Sequence, residues 1–316
     1  MKSLIVKNLN LCEKLWNQFT PNTSIWDLWK TVLSFYNQKF FEPYFILGED
    51  QKRRGLLPLW LSKETGRYFF FGGDYPENKR FWFPPEMFLD FFQLMPRRTV
   101  LYDINQHSAE VVTHLYPRFK SYFTPDENRY YLDLADVNYS LEKYLTRFSP
   151  KHRKNLLYDT NKLLKSGVRL RWGNKNSDFG HLSRLSKARF AGQSDFWDKK
   201  FVWQFSSFIQ YLKDNRLAAT LRAEIGGETI GIGISAIFKN TLYVLNGGFD
   251  PKYANVGKLL TLEQIKRALA KHCREVDFLV GDTGWKAFWN LDQEPVAALD
   301  KEDIPSKSLR LLTDFK

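Results

Sequence analysis

The sequence predicts an α/β (α+β) chain made of two tandem copies of one unit, each a mixed, largely antiparallel sheet flanked by helices. Two near-copies carry that expectation. LRAEIGGETIGIGISAIFKNTLYVLNGGFDP, from Leu217, and YFILGEDQKRRGLLPLWLSKETGRYFFFGGDYP, from Tyr44, share the order strand, polar turn, glycine-led strand, turn, tyrosine-led strand, Gly-Gly and Pro. Each copy is then followed by a helical pattern and a short apolar strand, ending near Asp103 and near Asp282. A repeat of this kind fixes the architecture before any single element is assigned.

Taken in order, Thr23 to Tyr36 places Ile25, Leu28, Trp29, Val32, Leu33 and Tyr36 on one face and predicts an amphipathic helix. The first meander ends at Gly72-Gly73-Asp74-Tyr75-Pro76. A short helix follows Pro84-Pro85, since proline is tolerated in a first turn. Thr99 to Ile104 and Tyr130 to Leu134 read as strands, and Ser140 opens a short helix with Leu141, Leu145 and Phe148. Ser149 is a natural N-cap, Pro150 suits the first helical position and Gly167 the C′ position, so a helix lies between them. Val168 to Trp172 alternates as a strand, and Phe201, Phe205, Ile209 and Leu212 mark a further helix. In the second meander Gly226-Gly227 predicts a tight hairpin. Leu259, Leu262, Ile265 and Leu269 then recur at helical spacing before the strand Val276 to Val280. From Leu291 the only pattern is Ser306 to Leu312, which predicts a peripheral tail. The expected domains are residues 1–135, 136–290 and a terminal segment 291–316.

A chain of 316 residues holds two sizeable cores, and 43% hydrophobic with 16% aromatic residues describe a folded globular protein. No apolar run approaches a membrane span and the N-terminus has no signal-peptide core, so a cytoplasmic location is expected. Cys12 and Cys273 are too few for a disulfide framework and lack metal-ligand spacing, so no metal is expected. The net charge of +12 calls for an anionic partner: a CoA or nucleotide-sugar pyrophosphate, tRNA or a membrane surface. A solvated basic face explains the same charge, and no DNA-binding motif is present.

Candidate chemistry concentrates in the second copy. Asn255, Val256 and Gly257 stand just before a helix, where unpaired amides and the positive dipole end form an anion site to which Lys258 adds charge. The first copy has Phe81, Trp82, Phe83 and two prolines there, which implies that it has lost the role. Asp282 suits a group that orients or deprotonates an amine, and Lys286 one that stabilises an oxyanion or phosphate. Asp282 equally suits the cap of a short helix with Trp285, Phe288 and Trp289 as core. Lys151, Arg153 and Lys154 at a helix start oppose the dipole unless an anion is near. No serine or cysteine sits in a nucleophile elbow, which points to direct attack on a bound donor.

RRGLLPLWL, FFFGGDYPE, YLTRFSPKHRKNLLYDTNKLLKSGVRLRW and FDPKYANVGKLLTLEQIKRALAKHCREVDFLVGDTGWKAFW together resemble the tandem GNAT-fold acyltransferases of the CelD-like group, relatives of the FemAB peptidoglycan aminoacyltransferases. The resemblance covers about residues 10 to 290. It implies two GNAT domains, an acyl-CoA co-substrate (acetyl-CoA) held by Tyr253, Asn255, Val256, Gly257 and Lys258, and catalysis by Asp282 and Lys286. An amine acceptor, a small molecule or a glycan of the amino-sugar or cell-envelope kind, would meet Arg153, Asp74, Tyr75 and Asp250. The sequence departs from the pattern in lacking the full Gly-x-Gly of ordinary GNAT donor loops and in carrying Thr283-Gly284 in place of a more acidic, aromatic pair. The alternatives are an aminoacyl-tRNA donor and a non-catalytic GNAT-like binding module.

Overall fold

The computed structural model describes residues 1–282 and 284–305, so Thr283 and the Ser306 to Leu312 pattern lie outside the described residues. Two compact units emerge, one of Met1–Arg129 with the C-terminal segment from Gln293, the other of Tyr130–Asp292.

In the first unit β1 (Lys2–Val6), β2 (Phe41–Glu49), β3 (Arg54–Ser62) and β4 (Tyr68–Phe70) form an antiparallel sheet in that order, with α1 (Leu9–Phe19) and α2 (Trp29–Leu33) between β1 and β2. The helix expected over Thr23 to Tyr36 is split into a 3-10 turn, Ile25–Asp27, and α2. The split has a local cause: the Asp27 carbonyl accepts Trp16 Nε1 at 2.6 Å and Thr20 Oγ1 at 3.1 Å, and the Thr31 amide turns to Leu28 instead. The Asp27 carboxylate meanwhile holds the amides of Thr23 and Ser24. After α3 (Phe88–Leu94), β5 (Val100–Asn105) and α4 (Gln106–Leu115), β6 (Phe123–Asp133) carries the chain to the second unit. Phe88, Phe91, Phe92 and Phe119 fill the core.

The stretch after Leu291, without pattern in the sequence, forms a strand that pairs antiparallel with β5. Ion–dipole contacts that leave no hydrophobic periodicity hold the segment beyond that strand: Lys301 Nζ donates to the carbonyls of Phe92 and Met95, and Arg97 to those of Lys301, Glu302 and Ile304.

The second unit begins with α5 (Leu141–Leu145) and α6 (Pro150–Lys165), capped by Ser149 and closed by Gly167 at φ +96° as expected. There follow β7 (Arg169–Trp172), α7 (Asp178–Phe190), α8 (Lys199–Asp214), the meander β8 (Ala218–Ile225), β9 (Glu228–Phe238) and β10 (Thr241–Phe249), then α9 (Val256–Ala270) and β11 (Glu275–Val280); β12 (Asp292–Asp300) is the strand that returns to β5. Strand order is β11-β10-β9-β8-β7, antiparallel except for the parallel β10 and β11. Gly226-Gly227 forms the hairpin with both φ angles positive. The two Gly-Gly pairs serve different ends. Gly72 and Gly73 take left-handed turns, whereas Gly248 stays in β10 because α7 lies on it: a Cβ there would stand 3.1 Å from the Ser186 amide nitrogen.

A buried ion pair ties α7 to the sheet. Asp178 at its start receives Arg222 Nη1 from β8 at 2.8 Å, and both side chains are out of solvent. Removing one partner of such a pair strands the other charge. Asp178→Ala is therefore expected to lower unfolding free energy in urea by about 3 kcal/mol, and pairing Asp178→Leu with Arg222→Met to restore most of it.

Candidate active site

The site is built where two parallel strands part. β10 and β11 pair only over Thr241–Tyr243 and Glu275–Asp277, although each strand runs on. Two features end the pairing. On β10 the register to β9 slips between Val244 and Asn246, the signature of a bulge that turns the strand. On β11, Leu279 takes φ +68°, a left-handed conformation that a bulky residue adopts only under constraint. The constraint is visible: the Leu279 amide donates to Asp277 Oδ1 at 2.9 Å, and the Leu279 carbonyl accepts Lys286 Nζ at 2.9 Å. Among the described residues the register of β10 with β11 ends at Tyr243.

The loop from β10 delivers α9 at this mouth. Asn255 precedes it at φ +67° and no side chain caps its first turn, so the orphan amides that every helix start carries stay available. Gly257 is required by packing: the Phe249 ring would lie 2.7 Å from a Cβ there. Val256 is buried in the apolar cluster beneath the helix, against which Tyr253 packs, while Asp250 Oδ1 accepts the Lys252 amide within its own turn. Lys258 Nζ is 3.2 Å from Asp159 Oδ2 on α6 and 4.8 Å from the Phe288 ring centre, so its charge turns away from the helix axis toward α6.

Asp282 follows β11 by two residues. Its Oδ1 accepts the amides of Gly284 at 2.8 Å and Lys286 at 3.0 Å, which ties the loop to the first residue of the 3-10 turn Lys286–Trp289. The residue is exposed. Lys286 is buried, and its ammonium donates to the Leu279 and Val280 carbonyls and lies 4.9 Å from the Tyr130 ring centre. It thus holds the bent end of β11 in place.

A groove of about 560 Å³ is lined by Lys151, His152, Asn155 and Asp159 of α6 together with Lys258 and Phe288, and Lys258 is the one sequence-predicted site residue in its lining. His152 sits edge-on to Phe288 at 4.1 Å and to Phe148 at 4.9 Å. Its Nε2 is covered and unpartnered. Burial, then the Lys258 charge, lowers its pKa from the ordinary value. Lys151 lines the groove and Arg153 does not, because successive residues of a helix point about 100° apart. The start of α9 meets the 3-10 turn that follows Asp282 through the contact of Lys258 with Phe288. Asp74 and Tyr75 belong to the first unit, where Asp74 is exposed and Tyr75 stacks on Phe35 at 4.9 Å. His152, Asp159 and Phe288 were missed as site residues. The 152/155/159 spacing, one face of a helix, was the available signal for the first two.

Among the described residues no cluster of His, Cys, Asp or Glu could hold a metal, and no helix is long and apolar enough to cross a membrane.

Neutral His152 binds fewer protons folded than unfolded as pH falls below about 6.5. Stability from this residue is thus present above that range and lost toward lower pH. Urea unfolding at pH 7.5 and 5.5 is expected to show a smaller acid loss in His152→Asn than in the wild type.

Residues 150–287 match the family model described as Acetyltransferase (GNAT) domain. Among solved structures, FemX is similar at 11% identity and TM-score 0.63, covering 99% of each chain. A tandem GNAT protein from the clavulanic acid biosynthesis pathway is similar at 9% identity and TM-score 0.52, covering 96% of this chain and 99% of that one. The C-terminal domain of a putative lysylphosphatidylglycerol synthetase from Agrobacterium fabrum is similar at 8% identity and TM-score 0.55, covering 97% and 96%. No curated protein matches the sequence.

Proposed function

We propose that this protein, an acyltransferase of tandem GNAT fold with FemX-like architecture, moves an acyl group from acyl-CoA to the amine of a small-molecule or glycan acceptor of the cell-envelope kind. The observation that carries the reading is the mouth between β10 and β11, which opens beside an uncapped helix start. The orphan amides of α9 would meet the pyrophosphate, whose charge the helix dipole favours. The unpaired edge of β10 would hold the thioester arm.

The acceptor nitrogen attacks the thioester carbonyl, a C–N bond forms, and collapse of the tetrahedral intermediate breaks the C–S bond. The proton from nitrogen passes to Asp282, whose Oδ1 serves the turn, leaving Oδ2 for the amine. The thiolate of CoA leaves. Lys286 is a positioning residue in this scheme, and Asp250 bounds the mouth. Lys151, which lines the groove, and Arg153 in the same first turn of α6 meet an anionic part of the acceptor. A second reading, an aminoacyl-tRNA donor, is favoured by the basic first turn of α6, where no carboxylate pairs with Lys151, Arg153 or Lys154 among the described residues. It requires tRNA binding with a steep salt dependence.

Calorimetric titration of acetyl-CoA should give saturable binding, and acetyl-pantetheine, which lacks the pyrophosphate, should bind at least tenfold more weakly. Equal affinities would remove the helix-start assignment, and no binding of either would send the donor to charged tRNA. Asp282→Asn keeps the capping oxygen and loses the base, so it should retain the wild-type melting temperature while turnover falls about 10²-fold or more. Asp282→Ala should lose both, with a stability cost of about 1 kcal/mol. Full turnover in Asp282→Asn would end the proton-transfer role.

A further inference from the structure

The connection from α7 to α8 carries a surface that acyl transfer does not use. The chain has ten tryptophans. The two that are exposed, Trp197 at 59% and Trp203 at 43%, both fall here, and Phe190 at the end of α7 is 36% exposed. Trp197 is held in place by Nε1 donating to the Ala191 carbonyl at 2.6 Å and by Lys187 Nζ lying 4.2 Å from its ring centre. The ring is thus held in one orientation with much of its surface free. Lys187 lies against the ring, and along the chain Arg184, Arg189, Lys199 and Lys200 flank the connection and outnumber Asp195 and Asp198.

We propose that this surface docks on a bilayer of anionic lipid. Tryptophan is the side chain suited to a membrane interface, with an apolar body and one polar N–H, and the flanking cations match anionic headgroups. Trp203 lies one helical turn from Lys199 and Lys200 on α8, so ring and charge share the outward side of its first two turns. A nucleic acid would also take cations and rings. Asp195 and Asp198 beside the rings disfavour a phosphate backbone laid along the connection, whereas a bilayer takes the rings below the plane of its headgroups.

The patch reaches the mouth of the candidate active site. The Arg189 guanidinium lies 4.7 Å from the Phe190 ring centre and 4.2 Å from that of Phe249, the ring packed on Gly257 at the start of α9. Resting on the acyl-transfer reading, the inference narrows the acceptor class: the amine is carried on a membrane-embedded molecule and reaches the mouth from the bilayer surface.

Binding is measured without donor or acceptor, so its failure and that of acyl transfer are separate results. Wild type is expected to sediment with vesicles of phosphatidylcholine and phosphatidylglycerol and to stay in the supernatant with phosphatidylcholine alone. Because the other tryptophans are buried or partly covered, brominated lipid should quench Trp197 and Trp203 selectively. Trp197→Ser with Trp203→Ser should weaken partitioning at least tenfold, and Lys199→Ser about fivefold, the share of one surface cation. Trp203→Ser alone, which breaks no hydrogen bond to the ring, should weaken it several-fold with an unchanged melting temperature. Wild type that ignores anionic vesicles, binding without quenching, or variants that bind as well as wild type would overturn the proposal. So would variants that lose tRNA retention on a filter while keeping vesicle binding.

Discussion

The separation of β10 from β11 is the constraint on which the second unit depends. Two parallel strands left to themselves pair along their whole length, because each unpaired amide near a dry interior forfeits a hydrogen bond. Here the bulge at Leu245 and the left-handed Leu279 end the ladder after three residues on each side. That arrangement requires support, and Lys286 supplies it by donating to two consecutive carbonyls while Asp277 receives the Leu279 amide. The Asp282 carboxylate, which receives the Lys286 amide, places Lys286 in turn. Strand, turn and helix start thus form one dependent series, and the residues assigned to chemistry by their type prove first to be occupied with geometry.

The first unit repeats the device with other means. Asp103 in β5 also takes a left-handed φ, +56°, and its amide is received by Asp126. Burial raises the pKa of the Asp103 carboxyl, with Lys79 at 3.2 Å opposing the shift. Where the second unit has an open helix start, the first has rings packed together: Phe83 stacks on Phe91 at 4.1 Å and Trp82 meets Trp16 at 4.4 Å.

The fold was largely legible because repeat order and hydrophobic period are properties of the chain itself. The meanders, α6 with its Ser149 cap and Gly167 end, α8 and α9 all declare themselves by spacing and turn chemistry. The hidden elements have no period: β12, paired to β5, with the segment after it fixed by Lys301 and Arg97 reaching backbone carbonyls, and the break at Leu28, set by a tryptophan that takes the Asp27 carbonyl. In the site, the helix start that follows Asn255 was legible. The burial of Lys286 and the unpartnered Nε2 of His152 were not, since both depend on what tertiary packing brings around them.

The return of the chain has a consequence for how the protein is made. The second unit is one continuous stretch, Tyr130–Asp292, while the first closes only when β12 adds to β5 and Lys301 reaches α3. During synthesis domains ordinarily fold in the order they emerge. Here the first unit waits, with an edge of β5 unpaired, until β12 has left the ribosome, so it is completed after the second unit and is the one more exposed to misassembly on the way.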